Sequence, residues 1–235
     1  MNRKIALFVE GLTEQEFVVN LLKEMAGKRG VTFELQRQYR GLLEFVDMRA
    51  HGSPEFHCLV VNCQNDGQVK SQIKDQYGKL KEAGYCLVIG LRDVYPLAAT
   101  DIPRLSANLY KGLAIDELPV AIHLAILEVE AWFIEEHTHF TRVDPKLNTD
   151  TLVAQGFEPG VTLASDLANP ADTLDRIYQV AGKRYAKKAR QIQRTIEALS
   201  YEELYLNVRG RASSLHDFLR SIEVAMFPPV KQAAA

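Results

Sequence analysis

Acidic residues follow two of the most apolar segments of the chain. Residues 5–9 form a short, unbroken apolar run, which is typical of a strand buried on both faces, and Glu10 comes directly after it. The apolar run at residues 85–91 leads to Asp93 in the same way. Ligands bind at the carboxyl ends of parallel strands in open α/β sheets. Both carboxylates are therefore expected at one edge of a central sheet.

The residues after Glu10 predict a tight turn and the start of a helix. Gly11 lets the backbone turn sharply, and Thr13 and Glu16 have the spacing of a capping box. Apolar residues then recur at steps of three and four, as in an amphipathic helix packed on a sheet. On these patterns alone, Glu10 is equally well explained as a solvated loop residue, and Glu14 as an acid stabilised by the helix dipole.

A third acidic candidate lies farther along the chain. Residues 118–123 predict another parallel strand, and residues 124–137 predict a largely apolar helix. Glu130 has apolar neighbours on both sides in this helix, where an unpaired carboxylate is costly to bury. A surface position is an adequate explanation for Glu128 and Glu135.

Strand and helix patterns alternate over the first 140 residues. Between the two strands that end in acids, the pattern predicts a strand near the sheet edge at residues 31–36, a short helix at 42–49, a buried strand at 56–63 and a charged helix at 69–83. This alternation predicts an α/β fold in which helices flank a central, mostly parallel sheet.

The chain changes character after this alternating part. Proline and glycine interrupt residues 144–169 repeatedly, and helical patterns follow. We therefore predict two parts: an α/β domain at residues 1–140, and an irregular connection with a helical C-terminal portion at residues 141–235.

Positive charges cluster in the helical portion. They belong to Lys183, Arg184, Lys187, Lys188 and Arg190. An aromatic residue lies within this cluster, and no acidic residue follows it until Glu197. A solvated helix face and a track that binds the phosphate backbone of a nucleic acid are both consistent with this segment.

Composition limits the possible function classes. With 47% apolar and 25% charged residues, the 235-residue chain is typical of a soluble globular protein, and its net charge of −2 gives no overall basic field. The three cysteines lack zinc or disulfide spacing, so reduced thiols are expected. There is no signal-peptide core, no apolar run of membrane-spanning length and no phosphate-binding glycine loop. A cytoplasmic protein without its own ATPase activity is expected.

Three short motifs carry a family resemblance. Residues 8–14, with Glu10 at the strand end, resemble the first motif of Toprim domains, and Asp93 matches the first aspartate of their second motif, Asp-x-Asp. Tyr95 stands at the position of the second aspartate. The sequence Glu130-Ala131-Trp132 resembles the Glu-x-Trp motif of the RloB-like, OLD-nuclease-related branch of small stand-alone Toprim proteins.

The resemblance covers roughly residues 4–137 and implies a Toprim-like Rossmannoid fold. It implies that Glu10, Asp93 and Glu14 are catalytic and that Glu10, Asp93 and Glu130 bind metal. Carboxylates gathered in this way repel one another unless a cation neutralises them, which indicates Mg²⁺ or Mn²⁺ as the cofactor.

The activity implied by the resemblance is metal-dependent hydrolysis of phosphodiester bonds, in phage defence or DNA repair. The implied partners are a nucleic acid, DNA rather than RNA, and a separate ATPase, with a homodimer as a further possibility. Because tyrosine ligates Mg²⁺ poorly, Tyr95 leaves a second interpretation open. In that interpretation the chain is a degenerate Toprim module that binds nucleic acid, nucleotide or a partner ATPase without cutting.

Overall fold

One six-stranded sheet forms the centre of the protein. The computed structural model describes residues 3–94, 99–113, 115–161 and 167–228, and within them the strand order is β3-β2-β4-β1-β5-β6. The strands are β1 (Arg3–Val9), β2 (Val31–Tyr39), β3 (Leu42–His51), β4 (Phe56–Asn62), β5 (Leu87–Asp93) and β6 (Val120–Ala125). All neighbours pair in parallel except β2 and β3, which are antiparallel.

Helices cover both faces of this sheet. They are α1 (Leu12–Ala26), α2 (Asp66–Glu82), α3 (Ile102–Leu109), α4 (Glu130–Glu135), α5 (His139–Val143), α6 (Thr149–Ala154), α7 (Pro170–Gln179), α8 (Ala189–Ala198), α9 (Tyr201–Leu206) and α10 (Ser213–Met226). No described helix has the length and apolar character needed to cross a membrane. The predicted α/β fold, with helices flanking a mostly parallel sheet, is confirmed.

Strand β1 is central because its side chains serve two cores. Ile5, Leu7 and Val9 point into the larger core, which α1 and the C-terminal helices cover, whereas Ala6 and Phe8 point into the smaller core beneath α2. All five side chains are fully buried. Because both faces of β1 are covered, none of these side chains faces solvent, and the strand therefore lacks the alternation of apolar and polar residues seen in half-exposed strands.

The larger core contains residues from both predicted parts of the chain. Trp132 of α4 stacks on Phe218 of α10 at 5.8 Å between ring centroids, and the Trp132 indole N–H donates to Ser214 at 3.0 Å. Tyr178 of α7 is fully buried in the same core. Residues on either side of position 140 therefore pack together, and the boundary at this position stays a prediction.

The prediction of a short helix at residues 42–49 is wrong, because this segment forms β3 at the edge of the sheet. The antiparallel pairing with β2 skips Val46, and such a bulge breaks the strict alternation that marks a strand in sequence. Arg40 and Gly41 form the hairpin turn with φ of 50° and 83°. Positive φ at both positions is typical of the tight turns that join antiparallel strands.

The predicted capping box at the start of α1 is also wrong. The helix begins at Leu12, with Gly11 as an extended N-cap residue, so Thr13 lies inside the first turn and is buried. Glu16 instead pairs with Arg49 of β3, with 3.1 Å between the guanidinium and the carboxylate. The three cysteines are free thiols, as predicted, and two of them, Cys58 and Cys63, are buried.

The packing of β5 against α2 predicts that Gly90 cannot carry a side chain. A Cβ at Gly90 would lie 3.0 Å from Ile73, 3.1 Å from Val69 and 3.2 Å from Ile122. We expect Gly90→Val to lower the free energy of unfolding by about 1–3 kcal/mol, because it overpacks this core. Gly78→Ala is the control for urea denaturation: it meets no atom within 4 Å and should stabilise α2 by about 1 kcal/mol. A Gly90→Val variant as stable as wild type would contradict the described packing.

Candidate metal centre

The first two acidic residues lie on neighbouring parallel strands. Glu10 follows the last residue of β1, and Asp93 is the last residue of β5. The backbone N–H of Asp93 donates a hydrogen bond to Glu10 Oε2 at 3.1 Å. The two strand ends are therefore joined by the side chain of one acid and the main chain of the other.

The connection from β6 to α4 approaches the same point. Asp93 Oδ1 accepts a hydrogen bond from the backbone N–H of Val129 at 3.1 Å, in a buried position. Leu127, two residues earlier, has φ of 66°, a left-handed conformation that side chains other than glycine adopt only when their surroundings hold them there. The hydrogen bond to Val129 places its two neighbours, Glu128 and Glu130, beside Asp93.

Asp93, Glu128 and Glu130 form a compact triad of carboxylates. One oxygen of each lies within 4.8 Å of the others, and among the described residues this is the group of acids, histidines or cysteines whose geometry could hold a metal ion. Their exposed fractions are 5%, 7% and 0%. A set of oxygen donors suits a hard cation such as Mg²⁺ or Mn²⁺ better than a soft one.

One oxygen of the triad is left without a hydrogen bond. Glu130 Oε2 is buried and has no hydrogen-bond partner among the described residues. The other oxygen, Oε1, accepts from the hydroxyl of Tyr185 at 2.8 Å. Because a buried acceptor without a partner costs free energy, an ion bound at Oε2 would satisfy an atom that the protein itself leaves unsatisfied. The residues present therefore fit a divalent cation.

Glu14 belongs to the same electrostatic cluster. It lies in the first turn of α1 and is only 3% exposed. Burial, the negative charge of Glu130 and, to a smaller extent, that of Glu10 raise the pKa of Glu14 to about 7. Gly11 leaves room for this carboxylate, since a Cβ there would lie 3.1 Å from Glu14 Oε2, closer than ordinary van der Waals contact.

Burial and mutual repulsion also act on the other acids. Burial, followed by the charges of Glu14 and Glu130, raises the pKa of Asp93 well above its ordinary value. Burial likewise raises the pKa of Glu130, against the opposing effect of Lys187. These groups therefore hold protons more tightly than ordinary carboxyls unless a positive charge lies close by.

Lys187 supplies positive charge inside the cluster. Its Nζ lies 3.0 Å from Glu128 Oε1 and 3.2 Å from Glu130 Oε1. Burial opposes the ammonium form, but the two glutamates outweigh it and raise the pKa of Lys187. The lysine is thus a partial counter-ion for the carboxylates.

The fold brings together, at the carboxyl edge of the sheet, the four acids that the sequence predicted for the site: Glu10, Glu14, Asp93 and Glu130. The expected surface position of Glu128 and Glu135 is wrong, because each is only 7% exposed. Glu128 Oε2 accepts from the N–H of Ala171 at 2.9 Å, and Glu135 pairs with Arg211 at 3.2 Å. Glu128 has apolar neighbours on both sides, as Glu130 does, and this pattern is the sequence signal for its burial.

The basic residues of the predicted track do not form one free surface, because three of the five pair with acidic side chains. Arg184 pairs with Asp175 at 3.0 Å, and Lys183 lies 3.6 Å from Asp144. Lys187 points into the carboxylate cluster, as described above. Lys188 and Arg190 are exposed at the start of α8. Tyr95, the residue that replaces the second aspartate of the Toprim motif, lies outside the described residues.

Fold and site together define an α/β protein with an acidic centre at the carboxyl edge of a parallel sheet. The chain belongs to the family described as a domain of unknown function (DUF4276), which it matches over residues 9–205. This match includes every carboxylate of the cluster and Lys187.

No curated protein matches the sequence. A solved structure of a candidate cell surface hydrolase from Lactobacillus plantarum WCFS1 is similar at 11% identity and a TM-score of 0.26. The similarity spans 59% of this chain and 57% of that protein, so a large part of each lies outside it.

The raised pKa of Glu14 predicts a pH-dependent loss of stability in metal-free buffer. Folded Glu14 has a pKa raised to about 7 and is half-protonated near that pH, whereas in the unfolded chain it ionises near its ordinary value of 4.5. Its contribution to stability is therefore full below pH 4.5 and is lost as the pH rises through 7, by about 3 kcal/mol. Glu14→Gln, which cannot ionise, should gain stability relative to wild type between pH 4.5 and 8.

Urea denaturation with a chelator present, at pH 4.5 and at pH 8, measures this difference. The control is Glu24→Gln, a substitution at an exposed residue of the same helix, which should not change the pH dependence. If Glu14→Gln and wild type lose the same stability over this interval, Glu14 is not the group that titrates.

Proposed function

We propose that this chain is a divalent-metal-dependent nuclease of Toprim type, which hydrolyses phosphodiester bonds with Mg²⁺ or Mn²⁺. The observation that carries the proposal is the triad of Asp93, Glu128 and Glu130, in which a buried glutamate oxygen lacks a partner. The motifs that resemble Toprim domains supply four acids of the same cluster, Glu10, Glu14, Asp93 and Glu130. Phosphoryl transfer is the chemistry for which such carboxylate clusters commonly hold metal ions.

In this proposal Asp93, Glu128 and Glu130 hold the cation, and Glu10 lies beside them as a further ligand. A cation bound there would polarise the scissile phosphate and stabilise the leaving oxygen. Glu10 also fixes the end of β5 through the N–H of Asp93, so it orients the principal aspartate. A buried, preorganised set of ligands keeps the geometry of the centre constant during the reaction.

Glu14 is suited to transfer protons. General acid and base catalysts work best when their pKa lies near the working pH. The pKa of Glu14 is raised to about 7 by burial and by the neighbouring charges of Glu130 and Glu10. Glu14 would therefore accept the proton of the attacking water, which fits its predicted catalytic role.

The exposed start of α8 would contact the nucleic acid. Lys188 and Arg190 lie one and three residues after Lys187 along the chain and are exposed. They would neutralise backbone phosphates on either side of the scissile bond. The proposal extends to a cytoplasmic location. Four of its parts rest on the Toprim resemblance: DNA rather than RNA as the substrate, an ATPase partner, a homodimer, and a role in phage defence or DNA repair.

A second candidate function is a degenerate Toprim module that binds nucleic acid, nucleotide or a partner ATPase without cutting. The observation that favours it is the ion pair of Lys187 with Glu128 and Glu130, which neutralises part of the cluster without any metal. The two functions differ in whether the cluster binds a divalent cation.

A cleavage assay tests the proposed activity. Wild type should nick supercoiled plasmid or cut single-stranded oligonucleotides in Mg²⁺ or Mn²⁺. Asp93→Asn and Glu130→Gln keep the side-chain shapes but remove a ligand charge, so each should lower the rate by about 100-fold or more. Glu24→Gln on α1 is the matched control and should cut at the wild-type rate.

Two results would count against the nuclease. One is equal cleavage by wild type and both site variants, which would identify a contaminant as the source. The other is absence of cleavage together with absence of Mn²⁺ binding by calorimetry, which would favour the degenerate module.

A further inference from the structure

The two oxygens of Glu128 are both engaged by the protein itself. Oε2 accepts from the backbone N–H of Ala171 at 2.9 Å, and Oε1 contacts Lys187 Nζ at 3.0 Å. Glu130 differs, because its Oε1 takes both Tyr185 and Lys187 while its Oε2 is unpartnered. An incoming cation therefore finds an oxygen without a partner on Glu130, whereas at Glu128 it meets two partners, the Ala171 N–H and the Lys187 ammonium, whose positive charge repels it.

Of these two partners, the lysine is the one that can leave. The N–H of Ala171 belongs to the first turn of α7 and is fixed by the backbone. The Lys187 side chain is 39% exposed and has four rotatable carbon–carbon bonds, so its ammonium can turn towards solvent. A divalent ion also carries twice the charge of the ammonium, which favours the exchange at a cluster of buried acids.

The backbone at Lys187 is held in an uncommon conformation. Its φ is 51°, one of four positive values at non-glycine residues among those described, and Leu127, next to Glu128 in the chain, has another. Such conformations persist when surrounding contacts enforce them. The Lys187 side chain forms ion pairs with Glu128 and Glu130, and these are contacts that can hold the backbone in this conformation.

We infer that Lys187 is an internal counter-ion that occupies Glu128 and Glu130 until a divalent cation displaces it, and that the released ammonium then joins Lys188 and Arg190 at the substrate phosphates. This role presupposes the metal centre of the proposed function. It explains how one segment can both neutralise the acids of the free protein and bind the backbone of a nucleic acid.

Calorimetric titration with Mn²⁺ tests the competition. Lys187→Gln removes the competing charge but keeps a polar side chain of similar reach, so it should bind Mn²⁺ about tenfold more tightly than wild type. Lys188→Gln is the matched control and should bind within about twofold of wild type, since an exposed charge is screened by solvent.

Amine labelling of the wild-type protein tests the release itself. Without metal, the ion-paired Lys187 should react slowly with an acylating reagent, and saturating Mn²⁺ should raise its rate about tenfold or more, because release returns it to the reactivity of a solvated amine. Lys188 should react at one rate throughout. Peptide mass spectrometry reads both sites in the same sample, and this measurement stands even if Lys187→Gln fails to fold.

The outcomes separate the two proposals. If wild type binds Mn²⁺ but Lys187→Gln binds it no more tightly, the competition is overturned and the metal centre stands. If Lys187→Gln binds Mn²⁺ more tightly but Mn²⁺ does not change the labelling rate of Lys187 in wild type, the lysine affects binding only through its charge. In that case its release is overturned. If neither protein binds Mn²⁺, the metal centre fails and the role of Lys187 fails with it. Tighter binding together with metal-dependent labelling supports the inference.

Discussion

Burial of like charges is the constraint on which the site depends. Five acids, Glu10, Glu14, Asp93, Glu128 and Glu130, lie at one sheet edge, and most of them are shielded from water. The protein offsets part of the repulsion with backbone N–H groups, which are fixed dipoles and need no side-chain ordering. These donors come from the end of β5, the loop before α4 and the start of α7. The repulsion that remains is what a divalent cation at the centre would neutralise.

The sequence predicted the strands that carry the site because local patterns determine them. The apolar runs before Glu10 and Asp93 are short, unbroken and followed by turn residues, which is a strong local signal for buried strands. Local patterns do not predict that β1 and β5 are direct neighbours, because strand order depends on contacts between distant segments. The pattern could place both acids at one edge, but it could not place the N–H of Asp93 against Glu10.

The wrong predictions share a physical origin in tertiary contacts. Glu128 was expected at the surface, and only the arrival of α7 and Lys187, more than 40 residues later, buries it. The edge strand β3 was predicted as a helix because a single bulged residue, Val46, disturbs its alternation, and pairing with β2 overrides the local pattern. The partners of Glu128 lie outside any window that a periodicity argument can scan, whereas β2 directly precedes β3 and pairs with it across a two-residue turn.

The C-terminal portion completes the site as well as the core. Tyr185, Lys187 and the N–H of Ala171 all come from beyond residue 140, and all contact acids supplied by the α/β part. Without them, Glu128 and Glu130 would lose their donors and their counter-ion, and buried carboxylates without partners are costly. The family match, which runs from residue 9 to residue 205, spans the same two parts. The basic segment is therefore not one continuous solvated face, because Lys187 turns inward to the acids while Lys188 and Arg190 face solvent.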